Sequence, residues 1–136
     1  MLIDTHAHLY WESYKSDLNE VLKRAKDAGV NAIMNIGVDI ETSQKALEQT
    51  KNIKGLSVYS TIGIHPHEAS TFNYKDIAKL EKIYLNNKSE IVAIGECGLD
   101  YFFESNPGFT PTNLSPVKLK QLQRQLFQAQ IDLAKK

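Results

Sequence analysis

Met1-Leu2-Ile3-Asp4-Thr5-His6-Ala7-His8 opens the chain with a short apolar run that ends on two histidines one residue apart. The apolar run signals a strand, so His6 and His8 sit at or just past the end of a first β-strand. In extended backbone, side chains at i and i+2 point to the same side. Two imidazoles facing one way make half of a divalent-metal site. Imidazole suits Zn, Mn, Fe or Ni, and a neighbouring carboxylate widens the choice toward Mg and Mn. An accidental surface pair has the same spacing, so the motif needs structural context before it counts.

Two more segments supply that context. Ser60-Thr61-Ile62-Gly63-Ile64-His65-Pro66-His67 ends a second apolar stretch in His-Pro-His, and Ile91-Val92-Ala93-Ile94-Gly95-Glu96-Cys97-Gly98-Leu99-Asp100-Tyr101 ends a third in Glu-Cys-Gly-Leu-Asp. All 4 histidines of the chain thus fall at the C-terminal ends of expected strands, together with Glu96 and Asp100. In parallel α/β folds this is the end where catalytic sites are built. A carboxylate placed after Ile91-Val92-Ala93-Ile94 is costly to bury unless it is paired or ligating, which favours ligation for Glu96.

Between these segments strand and helix signals alternate. Leu2–Asp4 is a short strand. Leu18, Val21, Leu22, Ala25 and Ala28 follow at helical spacing, with Gly29 as a C-terminal cap. Val30–Ile36 is a second strand, and Asp39 caps a helix running to about Lys51. Leu56–Ile64 is a third strand, a helix begins near Tyr74, and a fourth strand covers Ile91–Glu96. Ser115-Pro116 has the form of an N-cap with proline in the first helical position, opening a last helix through Leu119, Leu122, Leu126 and Leu133. The order β-α-β-α-β-α-β-α predicts a parallel sheet with right-handed crossovers. The long loop from Tyr101 to Ser115 either lines the catalytic side or is a tolerated surface insertion.

Composition narrows the class. With 136 residues, 42% hydrophobic and 24% charged, the chain reads as one compact domain with a real core. One cysteine, Cys97, excludes an internal disulfide, and no long apolar run or signal-peptide layout is present, so the expected location is the cytoplasm. Net charge is zero, from 16 basic and 16 acidic residues, which argues against holding nucleic acid mainly by phosphate neutralisation. It leaves room for an enzyme that grips a few phosphates through metal ions.

Asp-Thr-His-Ala-His, Gly-Ile-His-Pro-His and Gly-Glu-Cys-Gly-Leu-Asp-Tyr, in that order, closely resemble the TatD-like deoxyribonuclease family, metal-dependent hydrolases of the amidohydrolase-like (β/α)8 barrel type. The resemblance covers the whole chain. It implies that His6 and His8 bind a first metal and that Glu96 bridges it to a second. It also implies that His65 lies near the substrate phosphate and that Asp100 supports the loop around Glu96, with Asp4 likewise a supporting residue. The implied cofactors are two divalent ions per complete site, Mg2+ or Mn2+, with Zn2+ also suited. The implied substrate is DNA and the reaction is two-metal hydrolysis of a phosphodiester, with Glu96 in the catalytic centre. A related hydrolase acting on esters, lactones or amides shares the fold.

The sequence also departs from that family. A full barrel needs about 250 residues and eight strands, whereas this chain supplies about four βα units. The family's two later histidines and late aspartate have no counterpart here, since no histidine follows His67 and the only aspartate after Asp100 is Asp132, inside the last helix. The expectation is therefore one incomplete barrel domain over residues 1–136, read as a truncated product whose exposed half-barrel edges self-associate. A non-catalytic fragment or interaction module keeping a partial metal site is the alternative. Cys97 is expected as a small core residue, and His67 as a capping or solvent-facing one. Tyr10 and Trp11 either stack on a base or pack over the barrel mouth.

Overall fold

The computed structural model describes residues 2–102 and 114–136, so most of the Tyr101–Ser115 loop lies outside the described residues. The chain runs β1 (Leu2–Ala7), α1 (Leu18–Asp27), β2 (Val30–Ile36), α2 (Ile40–Asn52), β3 (Ser57–Ile62), α3 (Tyr74–Leu85), β4 (Ile91–Ile94) and α4 (Pro116–Ala134). Single 3-10 turns at Glu12–Tyr14 and Pro66–Ser70 follow β1 and β3. The four strands form one sheet in the order β1-β2-β3-β4, every neighbouring pair parallel. This is the expected run of four βα units, and it leaves β1 and β4 as the two edges.

The helix boundaries follow local chemistry. Asp39 accepts the Thr42 N–H at 2.6 Å, and the Thr42 hydroxyl accepts from the Asp39 N–H at 2.9 Å, a reciprocal cap on α2. Ser115 caps α4 through the Lys118 N–H, with Pro116 behind it. Gly29, at φ 91°, ends α1 in the left-handed conformation that favours glycine.

Three strands end elsewhere than expected. β1 continues past Asp4 to Ala7 because the ladder with β2 runs on to the Ala7–Asn35 pair, so backbone pairing rather than apolarity sets its length. β3 stops at Ile62, and the Ile64 N–H and C=O are taken by the Gln130 side chain instead of a strand. β4 stops at Ile94, after which the chain turns through a cis peptide between Gly95 and Glu96.

One face of the sheet holds the core. Leu47, Leu80, Leu126 and Leu133 from α2, α3 and α4 pack with Ile62 and Ile91, while Leu22 of α1 packs with Ile33 and Leu9. Each fully buried aliphatic side chain contributes about 1.5–3 kcal/mol. Alternation sends the neighbouring positions away from the helices. Ile91 is 6% exposed whereas Val92 is 47%, and Tyr59 is exposed as well.

The C-terminal ends of β3 and β4 approach so closely that only glycine fits. A Cβ at Gly63 would lie 2.5 Å from the Gly95 carbonyl carbon and 2.8 Å from the Glu96 nitrogen. Gly63→Ala is therefore expected to lower the stability of the chain by about 1–3 kcal/mol in urea unfolding, as overpacking does. Gly95→Ala, whose Cβ would approach nothing closer than 4.0 Å, serves as the milder comparison.

Candidate metal centre

Parallel strands bring their C-terminal ends to one rim, and the four histidines meet there with Glu96 and Asp100. His6 and His8 leave β1 with their rings 5.1 Å apart, and donor atoms of His6, His8 and Glu96 lie within 4.8 Å of one another. His6 Nε2 is 3.5 Å from Glu96 Oε2. The other Glu96 oxygen, Oε1, is 3.6 Å from His65 Nε2. Glu96 is thus half-buried between a histidine of β1 and the histidine that follows β3, with one oxygen toward each. Its backbone is fixed as well: the Glu96 N–H donates to the Gly37 carbonyl at 2.9 Å, and the His65 N–H donates to the Val38 carbonyl at 2.7 Å. Both turns hang from the connection between β2 and α2.

Hydrogen bonds assign the ring protons. His8 Nδ1 lies 2.9 Å from the Ile36 carbonyl, which can only accept, so His8 carries its proton on Nδ1 and keeps the Nε2 lone pair for a metal. His65 is arranged the opposite way. Its Nδ1 accepts the His67 N–H at 3.2 Å, so the neutral ring holds its proton on Nε2 and offers a donor toward Glu96. Burial lowers the His65 pKa below the ordinary histidine value, helped by neighbouring His67 and opposed by Glu96, Asp100 and Glu68. A neutral ring presenting Nε2–H suits an anionic oxygen better than it suits a cation.

His67 faces solvent as expected, its side chain 43% exposed, and it also takes a partner. Its Nε2 lies 2.9 Å from Asp100 Oδ2, and its ring meets that of His65 edge-on at 4.4 Å. Donor atoms of His65, His67 and Asp100 also fall within 4.8 Å, a second histidine–carboxylate group on the same rim. Asp100 is held further by the Phe102 N–H on Oδ1 at 2.9 Å, and this bond, with His67, pulls its carboxyl below the usual carboxylate range.

The remaining sequence-stretch residues sort cleanly. Asp4 Oδ1 accepts the His6 N–H at 3.0 Å. Tyr10 turns inward and donates to the Ile36 carbonyl at 2.9 Å, while exposed Trp11 lies flat on His8, ring centroids 4.6 Å apart and planes 6° from parallel. The Cys97 thiol is half-buried, its Sγ 3.7 Å from the Ile94 carbonyl, and its pKa is raised by burial, then by Glu96. Sequence reading missed the glutamines. Gln123 and Gln130 are buried on the stripe of α4 that also carries Leu119, Leu126 and Leu133, and they bond the backbone of Asp100 and Ile64. Two polar residues on an otherwise apolar stripe were the available signal.

A half sheet with its helices on one face and a histidine–carboxylate cluster on the C-terminal rim is the N-terminal half of a (β/α)8 barrel of the metal-centre type. Residues 3–136 match the family model described as TatD related DNase, and the chain belongs to that family. It is 38% identical over 135 residues to an uncharacterized metal-dependent hydrolase, YabD, of Bacillus subtilis, covering 99% of this chain and 47% of that protein. It is 33% identical over 133 residues to the 3'-5' ssDNA/RNA exonuclease TatD of Salmonella typhimurium, covering 98% of this chain and 45% of the relative. Among solved structures, the TatD homologue YJJV of Escherichia coli superposes with a TM-score of 0.78 at 26% identity, over 98% of this chain and 46% of that one. The chain spans about half the length of the relatives it matches. No described helix is long and apolar enough to cross a membrane.

The His65 environment has a measurable sign. Its folded pKa lies below the unfolded value of about 6.5, so the folded chain binds fewer protons between the two values. The stability this contributes is complete above pH ~6.5 and is lost as pH falls toward the folded pKa. In NMR titration the His65 ring is expected to have a midpoint below the ordinary value. Glu96→Gln is expected to move it lower still, because the carboxylate that favours the charged ring is gone.

Proposed function

We propose that this chain is the N-terminal half-domain of a metal-dependent phosphodiester hydrolase, a DNA exonuclease of the TatD type. The observation that carries the reading is Glu96 set between His6 and His65, with His8 Nε2 left free for a metal by the Ile36 carbonyl. His6, His8 and Glu96 would hold a divalent ion, Mg2+ or Mn2+, with Zn2+ also suited to two imidazoles and a carboxylate. When bound, such an ion acidifies water and offsets charge on phosphoryl oxygens. Glu96 has a second oxygen to share with another cation, and Asp4 steadies His6 through its backbone. In this reading His65, whose Nε2–H faces Glu96, would donate to a phosphate oxygen held beside that carboxylate. Asp100 holds His67 beside it. The names of the Salmonella exonuclease and the Bacillus hydrolase support this substrate class and this metal dependence.

Residues 1–136 act in this reading as one incomplete barrel domain, with the ligands of a second metal supplied by the other half of the barrel. Its single cysteine suits the cytoplasm. The half length favours a second reading too: by itself the chain is a metal-binding fragment without turnover. One experiment separates them. The chain is mixed with 3′-labelled single-stranded DNA and Mg2+ or Mn2+, and Mn2+ binding is measured in parallel. Shortening of the DNA that His6→Ala abolishes supports the enzyme reading. Mn2+ binding lost in His6→Ala with intact DNA supports the fragment reading. Absence of both removes the metal centre.

The open edges generate a further expectation. Among the described residues β1 and β4 each pair on one side only, and Leu2, Ile3, Tyr59 and Val92 are exposed along the sheet. Such edges recruit other chains. Light scattering is expected to give a mass above the 15.4 kDa of one chain; a monomer with cooperative unfolding would contradict this.

A further inference from the structure

The backbone just beyond each of the three site-bearing strands is gripped by carboxamide side chains. After β3, Gln130 Oε1 accepts the Ile64 N–H at 2.8 Å and Gln130 Nε2 donates to the Ile64 carbonyl at 2.8 Å. After β4, Gln123 does the same to Asp100, at 2.9 Å for the N–H and 2.7 Å for the carbonyl. After β1 the grip is divided. Asn35 Oδ1 accepts the Leu9 N–H at 2.9 Å, Gln49 Nε2 donates to the Leu9 carbonyl at 3.0 Å, and Asn35 Nδ2 donates to Gln49 Oε1 at 3.0 Å. Asn35, Gln123 and Gln130 are almost wholly buried.

We propose that Gln49 with Asn35, Gln123 and Gln130 are positioning residues, which set the mutual distances of His6, His8, His65 and Glu96. The inference rests on the metal-centre reading above. A carboxamide carries a donor and an acceptor on one rigid plane, so it satisfies both polar groups of a single residue. A chain leaving a sheet loses its ladder partners, and its buried N–H and C=O need replacements. Methionine would fill the same volume and leave both groups orphaned.

Placement separates this from ordinary core satisfaction. Leu9 follows His8, Ile64 precedes His65, and Asp100 is itself the partner of His67. Of the other buried polar contacts from α2, Ser43 bonds the Gly63 backbone on the turn after β3, whereas Thr50 with Ser60 at 2.9 Å joins two hydroxyls and touches no site-bearing turn. The clamps also come from different elements: β2 and α2 hold the end of β1, while α4 holds the ends of β3 and β4. Three separately anchored turns are thereby held at one rim.

The test uses Co2+ titration of the 136-residue chain, followed by its visible absorption band, alongside thermal unfolding. Gln49→Met and Gln130→Met remove clamps, and Thr50→Val removes the buried hydroxyl pair as the comparison. Both glutamine variants are expected to weaken Co2+ binding by about tenfold or more and to change the band, as loss of groups that orient metal ligands does. Thr50→Val is expected to lower Tm while leaving affinity and band unchanged. The inference is overturned if the glutamine variants lose only Tm, or if Thr50→Val weakens Co2+ equally for the same loss of Tm. Should Gln130→Met fail to fold, half-buried Gln49 decides the matter alone. Native binding with unaffected variants removes this inference only; no Co2+ binding by the native chain removes the metal centre and this inference with it.

Discussion

Gly63 lying against the Gly95–Glu96 peptide is the contact on which the rim depends. Where β3 and β4 end, the two backbones meet with no room for a methyl group, since a Cβ at Gly63 would overlap the Gly95 carbonyl carbon at 2.5 Å. The Gly95 N–H donates to the Ile62 carbonyl and the Glu96 N–H reaches the Gly37 carbonyl, both at 2.9 Å. The turn bearing Glu96 is therefore drawn across the end of β3 toward β2 and β1. This brings one carboxylate within reach of histidines from two other strand ends.

The histidines on that rim differ in what they offer, although sequence spacing makes them look alike. His8 gives its Nδ1 proton to the Ile36 carbonyl and presents a lone pair, whereas His65 accepts at Nδ1 and presents a proton. A carbonyl bond makes a ring a ligand, and an amide bond makes a ring a donor. Glu96 lies between the two kinds, one oxygen 3.5 Å from His6 Nε2 and the other 3.6 Å from His65 Nε2. Local backbone groups thus divide the labour among chemically identical side chains.

Much of this was legible along the chain. The Asp39 and Ser115 caps, the Gly29 stop and the His6–His8 alternation are local signals, each decided by residues a few positions apart, and the strand-end placement of Glu96 followed from its apolar run. What stayed hidden depends on contacts between distant residues. Gln130 meets Ile64 across 66 positions and Gln123 meets Asp100 across 23, distances over which periodicity carries no information. The solvent-facing place of His67 was legible but its partner was not, because Asp100 arrives only when β3 and β4 lie side by side. The β1 boundary was set by ladder pairing with β2, which apolar patterning does not record.

Trp11 is the single tryptophan of the chain, and it lies face to face with His8 at 4.6 Å. Its indole is exposed on the outer side while its inner face covers a ring held in one tautomer by Ile36. The fold has thus placed an intrinsic optical probe directly over one nitrogen heterocycle. The one indole of the protein therefore sits on the rim beside His8 and outside the apolar core of Leu47, Ile62 and Leu80.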